Sequence, residues 1–305
     1  MLRTSLSLML LGVLCPAVAS AQTSLAHAPI YTEGATIVTE VEIKTNQTMV
    51  LAGMNLETGA DNFIVTKSIV TDATPGQVKI QNEIDRMQID VSLPGGVKLT
   101  FDTGNPNNPE APGPLGDITK FLEIAKDSKW VLEIGADHQP KAVKFIGDEP
   151  TDLPEMYKAD WKPERMLEEA KREIDRLPSE PVSKGDTWER NEDANIGQGQ
   201  VFHMVREYTY LGSEEHNGIP MEKIAAKTKS LTLEVNSPNP QVQIKDTDLS
   251  VKSSDSTLWY HPELKRITES TDEMRIVGTL KLVVNGNELP AELDLTMKVT
   301  GKVKL

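Results

Sequence analysis

The chain has 305 residues, 46 acidic and 32 basic side chains, a net charge of −14 and one cysteine. A polyanion of this size repels nucleic-acid phosphates and anionic headgroups, and no run of Lys and Arg offers a local exception, so nucleic acid is excluded as a partner. With Cys15 alone, a disulfide scaffold and a thiolate metal site are excluded too.

The first element is an address. Met1-Leu2-Arg3 is a short basic start, Leu6 to Val18 is almost wholly apolar, and Ala19-Ser20-Ala21 is the small-x-small pattern that signal peptidase cuts. Cleavage is expected between Ala21 and Gln22, which removes Cys15 and leaves 284 residues (305 − 21) without a thiol. The apolar run is short for a bilayer span, and no later segment reads as a stop-transfer signal. Bulky Leu14 ahead of Cys15 argues against a lipid-attachment box. The expectation is an exported protein, periplasmic or extracellular, with no transmembrane segment in the mature chain. Disulfide-free export fits a bacterial envelope, where stability comes from a packed core.

Period-two alternation dominates the mature chain. Ile37, Thr39, Val41 and Ile43 alternate with Val38, Glu40, Glu42 and Lys44. Ile84 to Val91 continues as strand, and Leu93-Pro94-Gly95-Gly96 turns it into Val97 to Phe101. Leu115, Ile118, Phe121, Leu122 and Ala125 recur at helical spacing and predict a short helix over Leu115–Lys126. A longer helix is predicted over Asp160–Leu177. Asp160 stands where a cap is needed, Pro163 lies in the first turn, and Trp161, Met166, Ala170, Ile174 and Leu177 form one apolar stripe. On its charged face Glu168 is placed to meet Arg172, and Lys171 to meet Asp175.

Met204–Leu211 and Met221–Val235 then read as strands around Glu215-His216-Asn217-Gly218. Thr279–Val284 and Ala291–Val303 flank Asn285-Gly286, whose tolerance of positive φ suits a two-residue hairpin turn. The fold class expected is mainly antiparallel β (α+β): a long-stranded curved sheet or half-barrel packed on one long and one short helix. An echo links Lys79–Val91 to Lys223–Val235, and Trp130–Gly135 with Lys141–Phe145 to Thr257–Tyr260 with Lys265–Thr268. The organisation expected is an N-terminal β unit over 22–150, a linker and helix over 151–182 and a C-terminal β unit over 183–305. The two units share one sheet or core, and are either repeats or strands of similar style.

Lys184-Gly185-Asp186-Thr187-Trp188-Glu189-Arg190, Tyr208-Thr209-Tyr210-Leu211-Gly212, Leu231–Val235 and Glu288–Leu295 together resemble a family of exported bacterial β-proteins of unknown function. The resemblance covers most of the mature chain and is strongest from about Leu177 onward. It implies envelope location and β architecture, and it transfers no catalytic residue.

Chemistry is sparse. Leu99-Thr100-Phe101-Asp102-Thr103-Gly104 looks like an aspartic-peptidase loop, but that mechanism needs two carboxylates sharing a proton, and the chain has no second Asp-Thr/Ser-Gly. Asp102 is therefore read as a turn residue, with a hydrolase at Asp102 or at a metal as the remote alternative. Asp102, Asn105, Asn107, Asn108, Glu110 and Asp117 crowd one loop with oxygen atoms, yet miss the spacing of a calcium loop. His27, His138, His203, His216 and His261 show no metal-ligand spacing. There is no Gly-x-Ser-x-Gly elbow, phosphate loop or dinucleotide fingerprint. No catalytic, cofactor or metal site is assigned. The stripe Trp161, Met166, Ala170, Ile174 and Leu177 is either plain core or the wall of an apolar cavity. The functional expectation is a non-enzymatic envelope module that binds an apolar ligand or an envelope protein. The alternative is a structural or assembly component.

Overall fold

The computed structural model describes residues 22–105, 107–108, 114–158, 161–197, 200–235, 242–284 and 286–305. Twelve strands and two helices account for most of them. In chain order they are β1 (Thr36–Leu51), β2 (Met54–Thr74), β3 (Gln77–Leu93), β4 (Val97–Asp102), α1 (Pro114–Asp127), β5 (Lys129–Gly135), β6 (Pro140–Phe145), α2 (Pro163–Asp175), β7 (Thr187–Gly197), β8 (Gln200–His216), β9 (Ile219–Val235), β10 (Val242–His261), β11 (Arg266–Val284) and β12 (Asn287–Lys304).

Short turns make these strands antiparallel neighbours. Asn217 at φ 53° and Gly218 at φ 79° join β8 to β9, where His216 pairs with Ile219. Ala52 at φ 51° and Gly53 at φ 80° do the same between β1 and β2. One open sheet results, in the order β6-β5-β3-β2-β1-β12-β11-β10-β9-β8-β7, with β4 beside the far half of β3. Its two meanders are welded in the middle, where β1 pairs with β12 from Val38↔Lys304 to Leu51↔Ala291.

Alternation gives the sheet two unlike faces. On one, charged side chains pair across strands, as in Lys298 with Glu273, Lys302 with Glu269 and Arg275 with Asp294. The other carries the core. Beyond Ala226↔Ser256 the ladder between β9 and β10 stops, while Thr228 N–H still donates to Ser254 Oγ at 3.0 Å. Phe202, Met204 and Leu231 from β8 and β9 then share a buried cluster with Ile276, Leu280, Leu293 and Leu295 from β11 and β12. These strands are not all neighbours in the sheet, so the sheet folds its apolar face onto itself. α1 covers another part of that face, with Leu122 and Ala125 against Met87 and Phe101.

The two helices are nearly equal, 14 residues for α1 and 13 for α2. The expectation of a long second helix is corrected. Pro163 sets the start, Lys162 occupies the cap position without a side-chain hydrogen bond, and the helix ends before Leu177-Pro178. The Asp160 cap lies outside the described residues. The charge pairing also differs: Glu168 meets Arg165, Arg172 meets Glu169, and Arg176 meets Glu173. One four-residue pair does form, Arg165 with Glu169 at 3.8 Å, but not between the residues the sequence suggested.

α2 packs against β6 at one end of the sheet. From the other end, Arg190 of β7 donates to Asp175 O at 2.6 Å and Leu177 O at 2.8 Å, and Trp188 Nε1 donates to Arg176 O at 2.8 Å. These bonds satisfy carbonyls that a helix C-terminus leaves open. One helix thus touches both edge strands and closes the half-barrel.

Register irregularities recur between the halves. β2–β3 slips at Val65/Thr66 and Val70/Asp72, and β8–β9 slips at Val205/Arg206 and Tyr210/Gly212. Adding 140 carries the β2 positions onto β8, and adding 144 carries their β3 partners onto β9. Lys79↔Glu133 is matched by Lys223↔Trp259, and a slip follows at once in each outer hairpin. Even the entry turns agree: Gly34 N–H donates to Val70 O, and Gly185 N–H to Tyr210 O, each at 2.8 Å.

Candidate ligand-binding face

The apolar face changes character along a row that crosses the sheet. Paired positions place Ile89 of β3, Asn62 of β2, Ile43 of β1 and Val299 of β12 side by side. The row continues through Asp272 of β11 and Ser256 of β10 to Ala226, Tyr208 and Trp188. Ile43, Val299 and Ile89, with Val41 and Ile64 beside them, are only half-buried. Asn62 Oδ1 among them is buried without a hydrogen-bond partner among the described residues.

The polar half of the row is an ion cluster. Arg206, 5% exposed, meets Asp272 Oδ2 at 2.7 Å and Glu192 Oε2 at 3.6 Å, and donates to Ser256 Oγ. Arg176 Nε stands 3.6 Å from the same Glu192 oxygen, and Tyr208 OH donates to the other one. Trp188 stacks on Tyr208 at 5.6 Å. Burial works against the Arg206 charge, yet Asp272, Tyr208 and Glu192 outweigh it and hold the guanidinium above its ordinary range. Glu173 and, against burial, Glu192 raise Arg176 likewise. Burial, then Glu192, pushes the Tyr208 phenol up. Both guanidiniums therefore stay charged, beside a neutral phenol.

Next to it the segment 22–31 crosses the apolar face. Leu25, 1% exposed, packs with Leu177, Val182, Tyr210, Ile224, Leu258 and Tyr260. Thr23 and Val182 exchange backbone bonds of 2.8 and 2.9 Å, Tyr260 OH donates to Ala26 O at 2.8 Å, and Arg266 Nη2 to Tyr31 OH at 3.1 Å. Burial, with Arg266 and His138 nearby, holds His27 down to about 4.

The predicted stripe is divided by this arrangement. Trp161 joins Phe121, Trp130 and Phe145 in an aromatic cluster with ring centroids 5.6 to 6.3 Å apart. Leu177, past the helix end, is 6% exposed beside Leu25. Met166, Ala170 and Ile174 stay half-buried, and α2 itself has no fully buried residue.

Asp102 ends β4, where its Oδ1 accepts from Gly104 N–H at 2.8 Å and its carboxylate lies 3.6 Å from Arg86. Asn108 spends both amide atoms on the Asp102 backbone, and Asn105 Oδ1 accepts from Asn107 N–H. The oxygen atoms of this loop serve its own turns, with Glu110 outside the described residues. Among the described residues no group of three or more His, Cys, Asp or Glu converges as a metal site.

Sequence reasoning missed the ion cluster. One signal was present: Phe202, Met204, Arg206, Tyr208 and Tyr210 share one parity of β8, so a charge sits at a core position. It also missed His203, which bridges Asp193 at 2.7 Å and Glu234 at 2.8 Å on the exposed face. Those two hydrogen bonds, Asp193 first, raise its pKa.

No protein-family model matches this chain, and no curated protein does either. Among solved structures, a lipovitellin structure described in terms of lipid–protein interactions is 10% identical, with a TM-score of 0.42 over 90% of this chain and 26% of that one. The chain thus spans about a quarter of that lipovitellin's length. An exported protein with a YmcC-like fold from Bacteroides fragilis is 10% identical, covering 88% and 98% of the two chains, with a TM-score of 0.22. A DUF1329 family protein from Desulfovibrio piger is 10% identical, covering 84% and 83%, with a TM-score of 0.15. Among the described residues no helix is long and apolar enough to cross a membrane.

Proposed function

We propose that the protein is a non-enzymatic, exported envelope module whose concave face takes an apolar ligand. The observation that carries this reading is the half-buried wall of Val41, Ile43, Ile64 and Val299, on the face where α2 also leaves Met166, Ala170 and Ile174 half-covered. Apolar surface left half-covered inside a curved sheet is stabilised by an apolar occupant, because burying it removes area from water. Charged pairs on the opposite face support an aqueous setting, since membrane barrels turn their apolar band outward.

The test is solvent extraction of protein purified without detergent, together with titration by N-phenyl-1-naphthylamine. Saturable uptake of about one probe per chain is expected, with Ile43→Asn weakening it about tenfold. Absence of saturable uptake in protein stripped of copurifying lipid refutes the reading. Export is tested separately by intact mass, where a mature chain starting at Gln22 is the expected result and retained Met1 the refuting one.

The assembly reading is favoured by one observation. Beyond Ala226↔Ser256 no ladder joins β9 to β10, although Thr228 still meets Ser254 there, so part of their backbone is left for pairing elsewhere. Concentration-dependent oligomers in sedimentation would select it.

We infer further that the N-terminal and C-terminal β units are copies of one ancestral unit. The constant offsets of 140 and 144 between their register slips, and the matching turns at Gly34 and Gly185, support this. Bulges persist as built features of a strand pair, whereas a merely similar strand style has no reason to place them alike.

A further inference from the structure

We infer that the ligand of the concave face is an anionic amphiphile whose carboxylate or phosphate is held between Arg176 and Arg206. The inference rests on the reading of that face as an apolar site and names the chemistry of the ligand's head.

Three observations converge. The first is where the arginines lie. Beyond residue 21 the chain has eight, and four of them, Arg172, Arg176, Arg190 and Arg206, gather where α2, β7 and β8 meet. A chain with a net charge of −14 has thus placed half of its planar, permanently charged donors in one corner of the fold, with Arg206 buried and the other three partly covered. Arginine is the residue suited to two-point recognition of carboxylate and phosphate.

The second is an unmet demand for acceptors. Arg176 Nε and Arg206 Nε are both buried without a hydrogen-bond partner among the described residues. Arg206 is 5% exposed, so bulk water does not meet the demand. The local acids are already engaged: Asp272 at Arg206 Nη1, and one Glu192 oxygen at Tyr208 OH. The other Glu192 oxygen lies 3.6 Å from Arg176 Nε and 3.6 Å from Arg206 Nη1, near enough for ion pairing and too far for a hydrogen bond. A buried cationic N–H without an acceptor is costly, and an oxyanion entering between the two guanidiniums supplies one.

The third is position. Asp272, the partner of Arg206, is paired with Val299, and Val299 with Ile43. Paired side chains on one face are neighbours, so the ion cluster borders the half-buried apolar wall. A head group at the arginines therefore sends its chain along Val299 and Ile43, and a single ligand satisfies both halves of the row.

The test compares four probes by calorimetry on the mature chain: oleate, oleoyl lysophosphatidate, methyl oleate and inorganic phosphate. Oleate or the lysophosphatidate should bind at least about tenfold tighter than methyl oleate, and their relative affinities distinguish a carboxylate from a phosphate head. Arg176→Gln should reduce that preference to about threefold or less while leaving methyl oleate unchanged. Arg176→Lys keeps the charge without the Nε donor and should recover only part of it. Near-ultraviolet circular dichroism from the Trp188–Tyr208 stack reports whether either variant is folded. Equal binding of oleate and methyl oleate refutes the anionic head and leaves the apolar face standing. No binding of any acyl probe refutes both readings. Inorganic phosphate binding alone, abolished in Arg176→Gln, overturns the amphiphile and leaves a simple anion site.

Discussion

Gly278 lies in β11 between the buried residues Ile276 and Leu280, opposite Leu249 of β10 and Leu293 of β12. A Cβ at that position would stand 2.0 Å from Asp248 O, 2.9 Å from Leu249 Cα and 3.0 Å from the Asp248 carbonyl carbon. All three atoms are backbone, so no side-chain rotation relieves the clash. β10 would have to withdraw, breaking its ladder with β11 and pulling Leu249 and Val251 away from the largest core cluster. Overpacking costs about 1–3 kcal/mol, and each lost ladder bond adds roughly 1 kcal/mol, so Gly278→Ala should destabilise by about 3–5 kcal/mol. Urea unfolding followed by tryptophan fluorescence measures this as a lowered midpoint at constant slope. Gly53→Ala is the control. Gly53 has φ +80°, and a Cβ there would meet nothing within 4 Å, so its cost is conformational only, about 1–2 kcal/mol. If Gly278→Ala costs no more than Gly53→Ala, the close approach of β10 and β11 is not a constraint on the fold.

The depressed pKa of His27 makes stability depend on pH. The folded state prefers the neutral ring down to about 4, so this contribution is complete above about 6.5 and is lost as pH falls toward 4. It amounts to at most about 3 kcal/mol, and His27→Gln should flatten the melting-temperature profile across that window. An unchanged profile would mean that His27 protonates freely in the folded protein. Gly286 at φ +81° belongs to the two-residue connection between Val284 and Asn287, so Gly286→Val should cost about 2 kcal/mol or more by urea unfolding. No loss of stability would show that the turn does not require positive φ. Arg206→Met takes the cation from half-buried Asp272 and from buried Glu192, which keeps Arg176 and Tyr208 OH, and should cost about 2–3 kcal/mol. Lys298→Met, from the exposed pair with Glu273, should stay within about 1 kcal/mol. Equal losses in these two variants would remove the distinction between the faces.

The sequence by itself determined what depends on near neighbours along the chain. Alternation in Ile37–Lys44 and Met204–Leu211 marked strands because side chains reverse direction at every residue. Asn217-Gly218 and the Pro94-Gly95-Gly96 turn marked reversals because backbone conformation there is local chemistry. Helical spacing in Leu115–Ala125 did the same for α1. Interactions across long sequence separations were left to the tertiary structure. Arg176, Glu192, Arg206 and Asp272 come from the end of α2 and three strands and become neighbours only when α2 bridges β6 and β7 and the sheet curls. Arg206 puts a charge at a core position of its strand, and the partners that compensate it lie elsewhere in the chain. The stripe of α2 is amphipathic in any context, but how much of it is covered depends on what packs against it. Leu25 occupies ground beside Leu177 that a single-helix pattern does not reveal. Local torsions and periodicity need only a few consecutive residues. Burial and ion pairing depend on distances through space, and those exist only once β1 has paired with β12 and α2 has bridged β6 and β7.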